Sequence, residues 1–210
     1  MAQFFSLHPE QPQARLIRQA AEIIRGGGLV AFPTDSAYAL GGLTGDASLL
    51  ERIRRIRGVD DRHHFTLLCR DLSEISTYAR VDNTQFRLLK ATTPGPYTFI
   101  LEGTRELPRR LLHPKRKTIG LRVPEHVVVS ALLAELDEPM LSSTLLLPGE
   151  DLPLTDPEEI RDRLEKQVDL VIEAGFCGPE ATTVIDLTGG GPTLVRAGRG
   201  DLAPFGIEED

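Results

Sequence analysis

Over the first sixty residues the apolar positions change from a helical period to an unbroken run and back. In "PQARLIRQAAEIIRGGG" (12–28), Leu16, Ala20 and Ile24 recur every four residues, with Ile17 and Ala21 beside them. That spacing predicts one buried helical face, stopped by a glycine cap at Gly26 to Gly28. "LVAF" (29–32) has no polar alternation and predicts a buried strand. "DASLLERIRRIRG" (46–58) predicts a second helix, with Leu49, Ile53 and Ile56 inward and Gly58 ending it. Further on, the pattern predicts strands over 65–69, 97–103, 118–124 and 140–147. It predicts helices opening at Asp71 and Asp82, and others over 126–137 and 156–167. "VDLVIEAG", "TTVIDLTG" and "PTLVRAG" complete the strands, and "GGGP" (189–192) between the last two predicts a hairpin turn. Strands and helices interleave without a regular βαβ period. The expected fold class is α/β: a single domain (1–210) with a twisted mixed sheet and packed helices, its core over 12–205 and its acidic tail frayed.

Composition narrows the class. A chain of 210 residues holds one full core, and 40% apolar with 26% charged residues is ordinary for a globular protein. No apolar run approaches the ~20 residues that cross a bilayer, and "MAQFFSLHPEQ" lacks the pattern of a secretion signal, so the cytoplasm is expected and a membrane partner is not. Cys69 and Cys177, in apolar contexts, are expected as buried free thiols. The net charge of −7 argues against a surface that follows nucleic acid throughout. The basic residues nevertheless gather in "ERIRRIRG" (51–58) and "PRRLLHPKRKT" (108–118), which leaves room for a local positive cleft.

Several chemistries lack their signatures. There is no Gly-x-x-x-x-Gly-Lys-Ser/Thr phosphate loop and no Gly-x-Ser-x-Gly elbow. His63 and His64 are adjacent and have no Cys-x-x-Cys partner, so a solvated loop pair is expected there and no metal site. The informative residues lie at strand ends. Ser36 follows "LVAF", Thr98 opens "YTFIL", Thr118 opens "TIGLRVP", Thr182 and Thr183 open "TTVIDL", and Arg196 closes "TLVR". Hydroxyls and arginines at many strand ends predict one polar pocket at the edge of the sheet. Arg122, inside an apolar strand, needs an anionic partner, either a carboxylate of this chain or one belonging to a ligand. Arg57 ends its helix beside Gly58, where it can reach over a neighbouring loop.

"PTDSAYALGG", "PGPYTFIL", "TIGLRVPEH", "TTVIDL" and "LVRAGRG", in this order and over almost the whole chain, resemble the YrdC/YciO family, which includes the L-threonylcarbamoyladenylate synthases. The N-terminal stretch, "NTQFRLLKATTPGPYTFIL" and "DPEEIRDRLEKQVDL" look closest to the YciO branch. The resemblance implies a YrdC-like fold with a concave basic pocket. It also implies a reaction joining L-threonine, bicarbonate and ATP into threonylcarbamoyl-AMP with release of pyrophosphate, for the threonylcarbamoyladenosine modification of tRNA. Carried onto this sequence, it implies threonine binding by Ser36, Arg122 and Thr182. Nucleotide binding falls to Thr118 and Arg196, and catalytic contacts to Arg57 and Thr144. Magnesium would enter on the phosphates of ATP, with no protein-bound metal or organic cofactor.

The sequence also departs from the synthases. Their Lys-x-Arg is Arg57 and Val59 here, their Ser-x-Asn is Thr144 and Leu146, and a following histidine is Leu68. Losing one transition-state donor typically costs ~10²–10³ in rate, so weak activity is one expectation. A non-catalytic protein of the same fold is the alternative. It would bind nucleotide or double-stranded RNA, the latter through Arg109, Arg110, Lys115, Arg116 and Lys117. A third reading is acyl or carbamoyl transfer to an unrelated substrate.

Overall fold

Side chains close the first turns of most helices in the computed structural model, which describes Met1 to Glu208. Helix α1 (Ala14–Arg25) has no side-chain cap and rests on its buried face of Ile17, Ala20, Ala21 and Ile24. In α2 (Ala47–Arg57), Asp46 accepts from the Ser48 amide, and Gly58 ends the helix in a left-handed conformation at φ 62°. Asp71 caps α3 (Leu72–Tyr78), and Asp82 with Gln85 forms a reciprocal capping box on α4 (Asn83–Thr92). His126 caps α5 (Val127–Leu136), and Asp156 caps α6 (Pro157–Leu164).

Ten strands form one mixed sheet: β1 (Gln3–Ser6), β2 (Val30–Phe32), β3 (Ala39–Leu43), β4 (Thr66–Leu68), β5 (Tyr97–Glu102), β6 (Thr118–Arg122), β7 (Met140–Thr144), β8 (Leu170–Glu173), β9 (Thr183–Asp186) and β10 (Thr193–Arg196). Their order across the sheet is β1-β8-β2-β3-β7-β4-β6-β5-β9-β10. The β9–β10 pair is antiparallel across Gly189 to Pro192, the hairpin that the sequence predicts.

Two strands escape the sequence pattern. The four residues of β1 gain their place by parallel pairing with β8, a partner far along the chain. In β3 the glycines hide the alternation, and packing explains them. A Cβ on Gly42 would lie 2.8 Å from a Leu49 methyl, and one on Gly41 would lie 3.0 Å from the Phe32 ring. Strand β3 is thus pressed from both faces and has no room for side chains at its centre.

Cross-strand register places Val30, Gly41, Ser142, Thr66, Gly120 and Ile100 in one row on one face of the sheet. At the Val30 end, α1 and α5 cover that face with a core of Ile17, Ile24, Phe32, Val129, Leu132, Met140 and Ile172. Toward Ile100 the same face is uncovered and turns polar. The opposite face carries the larger core, in which Ile53 of α2, Ile75 of α3, Leu89 of α4 and Ile160 of α6 meet Leu67, Phe99, Leu121 and Leu141. Both cysteines are buried and free. Among the described residues no helix is long and apolar enough to cross a membrane. The last two residues, on which part of the frayed-tail expectation falls, lie outside the described residues.

Candidate active site

The uncovered half of the sheet is the floor of a cavity of about 700 Å³. Thr66, Thr98, Gly120, Ser142 and Thr144 line it from the strands, and the chain segments 179–182 and 196–198 and the loops around His63 and Leu152 wall it. A Cβ on Gly120 would stand 2.9 Å from the Thr98 methyl and 3.5 Å from Thr66 Oγ1, so glycine keeps this part of the floor low. Four arginines line the same cavity, Arg57, Arg122 and Arg196 together with Arg116.

Arg122 is held by the loop after β2. Its Nη2 donates to Asp35 Oδ1 and, at 3.3 Å, to Ser36 Oγ, and Asp35 Oδ2 accepts from the Glu125 amide at 2.8 Å. The two side chains of this ion pair are 7% and 9% exposed, so each compensates a buried charge of the other. Burial works against the Arg122 charge, and Asp35 is the main influence that restores it. Arg122 Nε is buried with no partner among the described residues. Ser36 itself stands one hydrogen bond behind the wall, tied also to Thr34 Oγ1 at 3.0 Å. Tyr38 is a core residue whose hydroxyl donates to the Ile172 carbonyl.

Arg196 is held without an acid. Its Nε and Nη2 donate to the Thr182 carbonyl at 3.2 and 2.9 Å, and Nη2 also reaches Thr182 Oγ1 at 3.2 Å. Thr182 Oγ1 in turn is 2.8 Å from Thr98 Oγ1, so the hydroxyls and the guanidinium form one connected edge. The close approach of residues 196–198 to Thr182 depends on Gly198, where a Cβ would run into the Thr182 backbone.

Arg57 reaches over from the end of α2. Its Nε donates to the Leu146 carbonyl at 3.3 Å, and its Nη1 is 2.8 Å from Ser143 Oγ and 3.0 Å from His63 Nε2. His63 Nε2 is also 3.0 Å from Ser143 Oγ, which closes a triangle. Burial, with Arg57 next in effect, pushes the His63 imidazole down to about 4, so the ring is neutral at physiological pH. The expectation of a solvated histidine pair is therefore corrected for His63 alone: both histidines line the cavity, but His64 is exposed as expected and stacks on His113 at a centroid distance of 5.1 Å. The loop after Gly58 folds back onto the sheet, which neither residue's sequence neighbourhood signals.

Neither Arg57 nor Arg196 has a carboxylate within ion-pair distance among the described residues, and Arg196 depresses the Arg57 pKa through their shared field after burial has acted. Two cations without an ion-pair partner in a partly closed cavity, whose lining also includes Asp151 and Glu180, make a candidate anion site. Thr118 and Thr144 line it as well, and Leu146 lies in its wall, whereas Val59 does not. Leu68 is buried under the helices among Met140 and Phe32. Of Arg109, Arg110, Lys115, Arg116 and Lys117 only Arg116 lines the cavity, and it pairs with Asp186 at 2.6 Å. Arg110 donates to the Thr44 carbonyl and Lys117 to the Pro114 carbonyl, and all five basic residues are exposed. No cluster of three or more histidine, cysteine or acidic side chains fit to hold a metal occurs among the described residues.

A family model named for Sua5, YciO and YrdC, and described as telomere recombination, matches residues 22–198. The chain belongs to the Sua5/YciO/YrdC family. It is 60% identical over 205 residues to the uncharacterized protein YciO of Escherichia coli (strain K12), covering 98% of this chain and all of that one. The crystal structure of E. coli YciO superposes with a TM-score of 0.94 over the same share of both chains. A threonylcarbamoyl-AMP synthase from Nitrosococcus oceani is 29% identical, over 87% of this chain and 93% of its own. Sua5 of P. abyssi, crystallised with L-threonine, matches at 26% identity and a TM-score of 0.85, over 93% of this chain and 57% of that one. Members of this family thus include enzymes of the synthase type, and this chain shares their fold across the cavity.

Proposed function

We propose that this protein is a threonylcarbamoyl-AMP synthase of low activity, forming the adenylate and pyrophosphate from L-threonine, bicarbonate and ATP. The observation that supports it most is the meeting of Arg57, Arg122 and Arg196 in one hydroxyl-lined cavity, with two of the three cations lacking an ion-pair partner among the described residues. In this reading the amine of threonine combines with bicarbonate to give a carbamate and water. A carbamate oxygen then attacks the α-phosphorus of ATP, and pyrophosphate leaves. The chain positions these groups and balances their charge. Arg122 donates to the threonine carboxylate, with Thr182 beside it and Ser36 steadying the guanidinium from behind. Arg196 and Thr118 hold the nucleotide, Arg57 faces the phosphates with Thr144 nearby, and magnesium arrives on ATP.

The pocket's apolar wall agrees with low activity, because Leu146 offers no donor where the synthases have an amide. The product would serve threonylcarbamoyl modification of tRNA in the cytoplasm. Direct binding of double-stranded RNA has less support, since of the five basic residues only Arg116 lines the cavity and it already pairs with Asp186. The deciding experiment incubates the protein with ATP, magnesium, bicarbonate and labelled threonine, and follows pyrophosphate and the labelled adenylate. Both should appear in equal amounts and fall by ~10²-fold in Arg196→Ala. Pyrophosphate without threonine dependence, or no adenylate from folded protein, would overturn the synthase reading.

A further inference from the structure

We infer that His63 and Ser143 are positioning residues that hold the Arg57 guanidinium as an uncancelled charge facing the cavity, by serving it as neutral acceptors. The inference rests on the reading of the cavity as a polyphosphate site. An arginine side chain has many rotamers, so a long cation left free at the end of a helix would be poorly aimed. A carboxylate would aim it and would also neutralise it. That solution is used at Arg122, whose partner is Asp35. At Arg57 three neutral oxygen and nitrogen atoms do the aiming instead: the Leu146 carbonyl, Ser143 Oγ and His63 Nε2.

The geometry sets the hydrogens. Arg57 has only donors, so His63 Nε2 presents its lone pair and Ser143 Oγ accepts from Nη1. Because Nε2 has a single lone pair, the Ser143 hydroxyl hydrogen, 3.0 Å away, can share it with Arg57 only as a weaker bifurcated contact. His63 is fixed from its other side by Phe65, whose ring meets it edge-on at 5.3 Å. The charged groups around the imidazole are Arg57, Arg54, His64 and Asp60, and the cations outnumber the acid. A serine and histidine this close could also form a nucleophile and its base. That arrangement fails here because Arg57 occupies the serine oxygen, the ring is a weak base, and no group of the described chain holds its Nδ1.

The test compares acceptors of different charge at position 63, read by calorimetric binding of inorganic triphosphate, so that it does not depend on synthesis. His63→Gln supplies a neutral acceptor and should retain affinity within about threefold. His63→Asp supplies a better anchor for Arg57 but cancels its charge, and should weaken binding by about tenfold or more, the scale of one charge-assisted contact. His63→Ala should fall between them. A purely structural role predicts the reverse order for glutamine and aspartate. Should His63→Asp not fold, Ser143→Asp puts the same question from the opposite side of the guanidinium, with the same expected loss. Equal affinities for the glutamine and aspartate variants, or wild-type protein that binds no triphosphate, would overturn the inference. The adenylate assay stands apart: a chain that binds triphosphate as expected but makes no adenylate loses the synthase reading and keeps this one.

Discussion

One face of one sheet is built in two ways. Under α1 and α5 its outward positions are apolar, with Phe32, Met140 and Ile172 packed against Ile24, Val129 and Leu132. Two or three strands further on, the same alternating positions are Thr66, Thr98, Thr118, Ser142 and Arg122, and no helix covers them. Strand β7 crosses the border within itself, from Met140 under α5 to Ser142 and Thr144 in the cavity. The backbone ladder is continuous through both halves, so hydrogen bonding between strands does not distinguish them. What differs is the disposal of side-chain surface. One half removes apolar area from water, and the other leaves polar groups aimed at a space of ligand size. Stability and binding are therefore separable properties of neighbouring residues on the same strands.

The largest expected effect lies in the covered half. Phe32→Ala should cost about 3–5 kcal/mol of stability, because the ring is fully buried and α1 cannot close over the void. Denaturant titration measures it, and triphosphate affinity of the folded fraction should stay unchanged. A parallel loss of affinity would show that the two halves are coupled. A smaller effect of opposite sign is expected from Leu146→Asn in the open half. It restores a donor to the cavity wall and leaves the backbone carbonyl that holds Arg57 in place, so kcat for adenylate formation should rise about tenfold. Because Val59 is outside the cavity wall, adding Val59→Arg should contribute less than the change at 146. Unchanged turnover in a variant that still binds ATP would show that Leu146 does not limit the rate.

The smallest effect concerns acid. His63 is neutral in the folded state down to about 4, whereas its ordinary value is 6.5. Between these values the unfolded chain binds the extra proton, so stability rises with pH across that window and is lost as pH falls through it. His64 and His126 are depressed as well and act in the same direction. The contribution of His63 is thus the difference between wild type and His63→Gln in the denaturation midpoint measured at several values from pH 7 to pH 4. The glutamine variant should lose less stability on acidification. Identical pH profiles would mean that the imidazole takes its proton without disturbing Arg57.

Most of the helices were legible because their signals are local. Asp46, Asp71, Asp82 and Asp156 stand where a first turn needs an acceptor, and Ile17, Ala21 and Ile24 repeat at the period of a helix. Strands β1 and β3 were not legible, since β1 exists by pairing with β8 and the glycines of β3 answer to Leu49 and Phe32. In the site, strand-end hydroxyls and arginines were readable from position alone, and so was the need of Arg122 for an anion. That the anion is Asp35, in the loop after β2, is a fact of tertiary structure. His63 was missed for a similar reason. A loop has no period, and the only clue was its place six residues after an arginine that ends a helix.

The order of the strands has a consequence for how the protein comes to be folded. The cavity wall runs from Ala39 to Gly198, and the hairpin of β9 and β10 reaches it by parallel pairing with β5, which lies about half the chain earlier. At the other end of the sheet, β8 must return to lie between β1 and β2. Such distant pairings require long loops to close before any contact rewards them, so they form late and slowly. Each helix can begin within its own few residues, but no contiguous fragment of the chain contains the anion site. While the ribosome is still completing the last strands, the nascent protein has its hydrophobic layers to hide, and its Arg196 has not yet joined Arg57 and Arg122 at the cavity.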